Sequence, residues 1–162
     1  MKLKSNFAIT GFMGAGKTTL YQAIENKINA YDLDQLIYKE VGSIKRYIEA
    51  SGENSFRELE YQVLKMLSNE DYHLIFLGAG ALEHPQSHQL ILKNYQLIHL
   101  NVELEVILKR LDQQQIKSRP LFKNVDELYD KRMDKYSQAQ FIIQGNREVS
   151  DNVKTLKEII FE

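Results

Sequence analysis

The sequence has 162 residues, which is enough for one domain with a substantial core. Its 43% apolar and 27% charged residues are typical of a globular protein and exclude a disordered chain or a collagen. A net charge of −1 argues against a strongly basic nucleic-acid binder, and the absence of cysteine excludes disulfides and thiolate chemistry.

Short apolar runs alternate along the chain with helical patterns. In chain order, strands are predicted at Phe7–Thr10, Ala30–Leu33, Leu74–Leu77, Leu97–Leu100 and Phe141–Ile143. Apolar residues three or four apart predict helices that include Leu20 and Ile24, Phe56 and Val63, Leu104 and Leu111, Leu128 and Tyr136, and Leu156 and Ile160. Asn101 is expected to cap the third of these helices, and Ser150 or Asp151 the last.

This alternation favours an α/β fold with a parallel sheet covered by helices on both faces. We expect a single domain over residues 1–162, with ligands bound beyond the carboxyl ends of the strands. No apolar run approaches the length of a membrane span, so a cytoplasmic protein without a membrane or nucleic-acid partner is expected. A monomer is the default expectation for this size.

The segment Gly11–Thr18 fits the pattern G-x-x-x-x-G-K-[ST] between a predicted strand and a predicted helix. In such a phosphate loop, backbone N–H groups and the helix N-terminus surround a polyphosphate. Lys17 can reach the β- and γ-phosphates, and the Thr18 hydroxyl can ligate Mg²⁺. The pattern predicts binding of a nucleoside triphosphate.

Two comparisons of motifs narrow the class of nucleotide-binding protein. The segment Asn26–Asn29 lacks the aspartate with which GTPases read guanine. The strand Leu74–Leu77 has no acidic residue at its end, as a motor ATPase would, and runs instead into Gly78-Ala79-Gly80. A small phosphotransferase is the class that remains.

Asp32 and Asp34 follow the second predicted strand. In an extended segment both carboxylates would share one face, roughly 6–7 Å apart. One could then serve a hydrated Mg²⁺ while the other meets an acceptor hydroxyl. The alternative is a polar turn at the end of the strand.

Three arginines carry further hypotheses. Arg57 has Glu53 and Glu60 at helical spacing, which indicates either a surface ion pair or an arginine held in place for an anion. Arg132 falls on the stripe that includes Tyr136, and a buried arginine needs an anion, either a substrate carboxylate or an internal Asp or Glu. Arg119 lies in a stretch of little periodicity, where a lid over about 113–124 competes with an ordinary exposed loop.

With these residues the chain resembles the shikimate kinases, from Gly11 to about Arg147. The resemblance rests on the phosphate loop, Asp32-Leu33-Asp34, Gly52-Glu53 with Phe56-Arg57 and Glu60, Gly78–Gly80, Arg119-Pro120-Leu121, and Arg132 with Tyr136. It implies a three-layer fold with a five-stranded parallel sheet in the order 2-3-1-4-5. It also implies transfer of the γ-phosphate of ATP to the 3-hydroxyl of shikimate, with Mg²⁺, in aromatic amino acid biosynthesis.

The resemblance also implies roles for individual residues. The catalytic residues would be Lys17, Asp34 and Arg119. The acceptor-binding region would be about 33–61. The residues that contact the acceptor would be Asp34, Arg57, Gly78, Ala79, Gly80 and Arg132. ATP would meet Gly11, Gly14, Ala15, Gly16, Lys17, Thr18, Thr19, Arg110, Arg119 and Arg147. Thr18 and Asp32 would hold the metal ion, Asp32 through water.

One residue departs from the family pattern, because Ala79 stands where the family usually has the middle of three glycines. Either this position has an ordinary backbone conformation or the pocket is altered. An altered pocket would favour a kinase of another small hydroxy acid, and a non-catalytic nucleotide-binding relative is the third alternative. His84 and His88 are four apart but close to Pro85, so a metal site there is not expected.

Overall fold

A five-stranded parallel sheet forms the centre of the computed structural model, which describes residues 2–113 and 124–161. The strands are β1 (Phe7–Thr10), β2 (Ala30–Asp32), β3 (Leu74–Phe76), β4 (Gln96–Asn101) and β5 (Phe141–Gln144). Their order is β2-β3-β1-β4-β5, which confirms the α/β class and the implied order of strands. All five predicted strands are present, with bounds that shift by one residue.

Helices cover both faces of this sheet. They are α1 (Lys17–Ile24), α2 (Leu33–Val41), α3 (Ile44–Ser51), α4 (Glu53–Leu67), α5 (Pro85–Asn94), α6 (Leu104–Gln113), α7 (Val125–Tyr136) and α8 (Val149–Ile160), with a 3₁₀ turn at Ala81–Glu83. Helix α1 packs on α8, whereas α4 packs on α2, α3 and α5. The central strands β1 and β3 are therefore buried along their whole length, as the apolar runs predicted.

The prediction that Asp32 and Asp34 share one face of an extended segment is wrong. Strand β2 ends at Asp32, whose Oδ1 accepts a hydrogen bond from the backbone N–H of Gln35 at 3.0 Å. Asp32 is thus the N-cap of α2, and Asp34 lies in the first turn of that helix. The capping preference of aspartate ends the strand two residues earlier than the alternation argument assumed.

Two predicted helix starts also differ from the structure. Asn101 is the last residue of β4 and does not cap α6, which begins at Leu104. Helix α8 begins at Val149 after Glu148, so neither Ser150 nor Asp151 is its cap. Across residues 2–113 and 124–161, no helix has both the length and the apolar character needed to cross a membrane.

Candidate active site

The phosphate loop leaves the carboxyl end of β1 and leads into α1, as its sequence predicted. Gly14 and Gly16 have φ of 77° and 100°, a left-handed conformation that favours glycine. A cavity of about 620 Å³ opens beside the loop. The predicted site residues that line it are Gly14, Ala15, Gly16, Lys17, Thr18, Thr19, Asp32, Asp34, Gly78, Ala79, Arg110 and Arg147.

Lys17 lies folded onto its own loop. Its Nζ donates hydrogen bonds to the carbonyl oxygens of Gly11 and of Phe12, the latter at 3.1 Å. Burial lowers the pKa of Lys17 to about 8, and the negative charge of Asp34 opposes that shift. The ammonium group is therefore held at the cavity by weak acceptors that the phosphates of a nucleotide can replace.

Arg110 joins the phosphate loop to the loop that precedes α8. Its Nη1 donates to the carbonyl oxygens of Gly14 and Ala15, both at 3.2 Å, and its Nη2 donates to the carbonyl oxygen of Gly145 at 2.9 Å. Arg110 and Arg147 line the cavity together, far along the chain from each other. The predicted nucleotide residues of two separate segments thus meet at one end of the cavity.

Sequence reasoning missed Val149 and Asn152, which line the same end of the cavity. Asn152 is buried, and its side-chain oxygen has no hydrogen-bond partner among the described residues. The available signal was its spacing, since it lies four residues before the buried Leu156 on α8. A buried polar side chain on an apolar stripe needs a hydrogen-bond partner. Because Asn152 lines the cavity, a ligand in the cavity could supply that partner.

The two aspartates remain neighbours at the cavity although they do not share a strand. Burial raises the pKa of Asp34, and the charge of Asp32 adds to this rise while Lys17 and Arg57 oppose it. Burial also raises the pKa of Asp32, against the hydrogen bonds from the backbone of Gln35 and Asp34. Although Asp34 is exposed as a whole residue, its raised pKa makes its carboxylate a better proton acceptor than an aspartate of ordinary pKa.

Arg57 is held by two carboxylates of its own helix, α4. Its Nη1 donates to Glu60 Oε1 at 2.9 Å and its Nη2 donates to Glu53 Oε1 at 3.4 Å. Glu60 is fully buried, and its second oxygen has no hydrogen-bond partner in the part of the chain that the structure describes. This arrangement fixes the guanidinium, and it is not the solvated ion pair that was the alternative.

Burial raises the pKa of Glu60 to about 7, against the opposing charge and hydrogen bond of Arg57. The folded state therefore binds this proton more tightly than the unfolded state, so folding stability falls as the pH rises from about 4.5 towards 7. We expect the unfolding free energy of Glu60→Gln, relative to the unmodified protein, to increase by about 2–3 kcal/mol between pH 5 and pH 8.

Urea denaturation of both proteins at the two pH values measures this difference. Glu58→Gln, which removes an exposed carboxylate from the same helix, is the control. If the difference for Glu60→Gln did not change with pH, burial would not destabilise the Glu60 carboxylate.

Gly80 is the point at which the guanidinium groups of Arg57 and Arg132 meet. A Cβ atom at Gly80 would lie 3.0 Å from Cζ of Arg57 and 3.2 Å from Nη2 of Arg132. Arg132 is only 7% exposed, and its Nε and Nη1 have no hydrogen-bond partner within residues 2–113 and 124–161. We call Arg57 and Arg132 the arginine pair. Its two guanidinium groups come close to Gly80, and within the described residues Arg132 has donors without acceptors, whereas Arg57 donates to Glu60 and Glu53.

The glycine turn, residues 78–80, is set by close contacts and not by an unusual backbone. Among the described residues, the positive φ values belong to Tyr72 and to four glycines outside this turn. Ala79 therefore has an ordinary conformation, and its carbonyl oxygen accepts a hydrogen bond from the Tyr136 hydroxyl at 2.7 Å. Ala79 does not indicate an altered pocket.

Gly80→Ala should raise the KM for the acceptor about tenfold or more, because the new methyl group displaces both guanidinium groups of the arginine pair. Ala79→Gly is the matched control, since alanine is unstrained at that position, and its KM should stay within about twofold of the original. Steady-state kinetics of both variants measure this contrast. Equal effects of the two changes would show that close packing at Gly80 does not govern the site.

Some predicted site residues lie elsewhere. Gly11, Arg57, Gly80 and Arg132 do not line the cavity. A Cβ at Gly11 would lie 2.8 Å from the carbonyl oxygen of Leu100. Arg119 and most of the lid predicted at 113–124 lie outside the described residues. His84 accepts from the backbone of Ser87 at the start of α5, and the described residues contain no cluster of three His, Cys, Asp or Glu that could hold a metal.

Comparisons with known proteins agree with this geometry. The shikimate kinase family model matches residues 13–161. The shikimate kinase of Caldicellulosiruptor bescii is 38% identical over 126 residues, which are 76% of this chain and 72% of that protein. That of Enterococcus faecalis is 35% identical over 142 residues, 83% of this chain and 84% of that protein.

A solved structure of similar shape is shikimate kinase from Acinetobacter baumannii in complex with shikimate. It is 25% identical, has a TM-score of 0.81, and the match covers 96% of this chain and 92% of that chain. The residues that the family model matches include the lining of the cavity, the arginine pair, the glycine turn and strands β2 to β5. The protein belongs to the shikimate kinase family.

Proposed function

We propose that this protein transfers the γ-phosphate of ATP to the 3-hydroxyl of shikimate, in the pathway to the aromatic amino acids. The observation that carries the proposal is the arginine pair, because Arg132 is buried beside Arg57 and its Nε and Nη1 have no hydrogen-bond partner among the described residues. Buried guanidinium groups call for an anion, and shikimate carries one carboxylate. Phe56 and Gly80 border this place. The arginine pair and Gly80 do not line the cavity, whereas Gly78 and Ala79 of the same glycine turn line it together with the phosphate loop.

In the reaction, the 3-hydroxyl oxygen forms a bond to the γ-phosphorus while the bond from that phosphorus to the β–γ bridging oxygen breaks. Asp34 accepts the hydroxyl proton, a role that the raised pKa of its carboxyl supports. Lys17 and Arg119 neutralise the charge that develops on the transferred group. Since the transition state of phosphoryl transfer is loose, positioning and charge neutralisation provide most of the acceleration.

ATP lies along the phosphate loop, with its base near Arg110 and Arg147. Mg²⁺ is the proposed cofactor, and Thr18 and Asp32 are its protein-side positions, since both line the cavity. One Asp32 oxygen is used by the N-cap bond, so few protein ligands are available, as is common for Mg²⁺ that binds phosphates and water. When bound, the ion neutralises phosphate charge.

The remaining parts of the proposal concern organisation. Residues 1–162 form one catalytic domain, residues of about 33–61 contribute much of the acceptor site, and residues of about 113–124 form a lid that carries Arg119. The enzyme acts as a monomer in the cytoplasm and binds neither nucleic acid nor membranes.

A coupled assay of ADP release tests the proposal. Shikimate should stimulate release well above the background hydrolysis of ATP, and other small hydroxy acids should not. If another hydroxy acid stimulated ADP release and shikimate did not, that hydroxy acid and not shikimate would be the acceptor. Nucleotide binding without turnover by any acceptor would instead indicate a non-catalytic relative.

A further inference from the structure

Arg132 forms an ion pair with Glu83 inside the protein. This residue ends the 3₁₀ turn that directly follows the glycine turn. Its Oε2 lies 3.6 Å from Arg132 Nη2, and its Oε1 lies 3.7 Å from Nζ of the exposed Lys131. Glu83 therefore lies between a buried cation of the acceptor site and a solvated cation on the same helix, α7.

The contact between Glu83 and Arg132 is an ion pair without a hydrogen bond. At 3.6 Å it attracts by charge, but it does not satisfy the guanidinium with a hydrogen bond. Within the described residues, Nε and Nη1 of Arg132 and Oε1 of Glu83 are buried without hydrogen-bond partners, and Oε1 of Glu83 has only its ion pair with Lys131 at 3.7 Å. A fully hydrogen-bonded internal ion pair would have used these atoms. Arg132 therefore still has donors that can bind a second anion.

We propose that Glu83 is an internal anion that competes with the acceptor's carboxylate for Arg132, and so sets how tightly the enzyme binds an anionic acceptor. This inference rests on the proposed function, since it deepens the account of the acceptor site. Glu83 is a specificity-determining residue here and not a catalytic one, because it acts through the arginine.

The competition follows from charge and position. An acceptor carboxylate bound to the arginine pair near Gly80 would lie close to the Glu83 carboxylate, and like charges in a partly buried site repel each other. The Glu83 side chain is 24% exposed, so it can turn towards Lys131 and water when the acceptor arrives. The repulsion that remains acts on anionic acceptors and not on uncharged ones.

Glu83→Gln tests the proposal because glutamine keeps the size of the side chain and removes its charge. At low ionic strength the KM for shikimate should fall about three- to tenfold, with kcat within about twofold and the KM for ATP unchanged. This decrease in KM should become smaller at high salt. The inhibition constant of the uncharged methyl ester of shikimate should be the same for Glu83→Gln and for the unmodified protein. Glu105→Gln removes an exposed carboxylate on α6 and controls for net charge.

A second readout separates this inference from the proposed function. Cyclohexanecarboxylate, a ring carboxylate without hydroxyl groups, should raise the thermal unfolding midpoint of Glu83→Gln more than that of the unmodified protein. If shikimate gave no turnover but this difference appeared, the proposed function would fail and the inference would stand. If both ligands bound Glu83→Gln as weakly as before, or more weakly, Glu83 would be a support for Arg132 and the competition would be disproved.

Discussion

Lys17→Ala is expected to lower kcat about 10²–10³-fold, which is the usual loss when one donor to transition-state charge is removed. Lys17 lies at the N-terminus of α1 and lines the cavity. Its present acceptors are two carbonyl oxygens of its own loop, so nothing binds it more strongly than the phosphates would. Because the charge is needed mainly as the bond to the leaving oxygen breaks, kcat should fall more than affinity for the acceptor.

Steady-state rates with saturating ATP and shikimate measure this loss. Lys27→Ala is the control, because that lysine is exposed beyond the end of the same helix and donates to the carbonyl oxygen of Ala23. Its removal should leave kcat within about twofold. Near-normal turnover of Lys17→Ala would remove Lys17 from the chemistry, even if the phosphate loop still bound ATP.

The sheet could be predicted because its signal is local. Each of the strands β1, β3 and β4 is a short apolar run that helices bury on both faces, so the run itself marks the strand. Helix α3 was not predicted although Ile44, Tyr47 and Ile48 have helical spacing, because this apolar stripe is short and none of its residues is fully buried. The course of the chain at Asp34 was misjudged because the capping bond of Asp32 competes with extension of the strand.

The parts of the candidate site that are formed by residues close together in the sequence could be predicted. The parts that depend on packing between distant residues could not. The phosphate loop and the Arg57–Glu60 pair are of the first kind, because loop and helix spacing define them. The ordinary backbone of Ala79 is of the second kind. So is the role of Glu83, whose pairing with Arg132 joins parts of the chain about fifty residues apart. The sequence alone did not decide whether Arg132 meets a substrate carboxylate or an internal one. In the structure Arg132 forms an ion pair with Glu83, and two of its nitrogens have no hydrogen-bond partner among the described residues.

Arg132→Ala should raise the KM for shikimate about 10- to 100-fold while the KM for ATP changes little. A charged hydrogen bond to a carboxylate contributes about 1.5–3 kcal/mol, and Arg132 has two buried nitrogens free to make such bonds among the described residues. Arg57 should compensate only in part, because Glu60 and Glu53 already accept hydrogen bonds from its Nη1 and Nη2 and offset its charge. Steady-state kinetics with each substrate varied in turn measure the two KM values.

Two further variants make this expectation specific to the charge of Arg132. Arg132→Met keeps much of the aliphatic stem and removes the guanidinium that lies over the Phe12 ring, so it should fold normally and still show the raised KM for shikimate. Arg46→Ala removes an exposed arginine from α3 and should change neither KM. Because Glu83 would lose its main partner in Arg132→Met, adding Glu83→Gln to that variant should no longer lower the KM for shikimate. Parallel loss of affinity for ATP and for shikimate would instead mean that Arg132 supports the fold of the whole cavity, and the arginine pair would no longer mark the place of the acceptor.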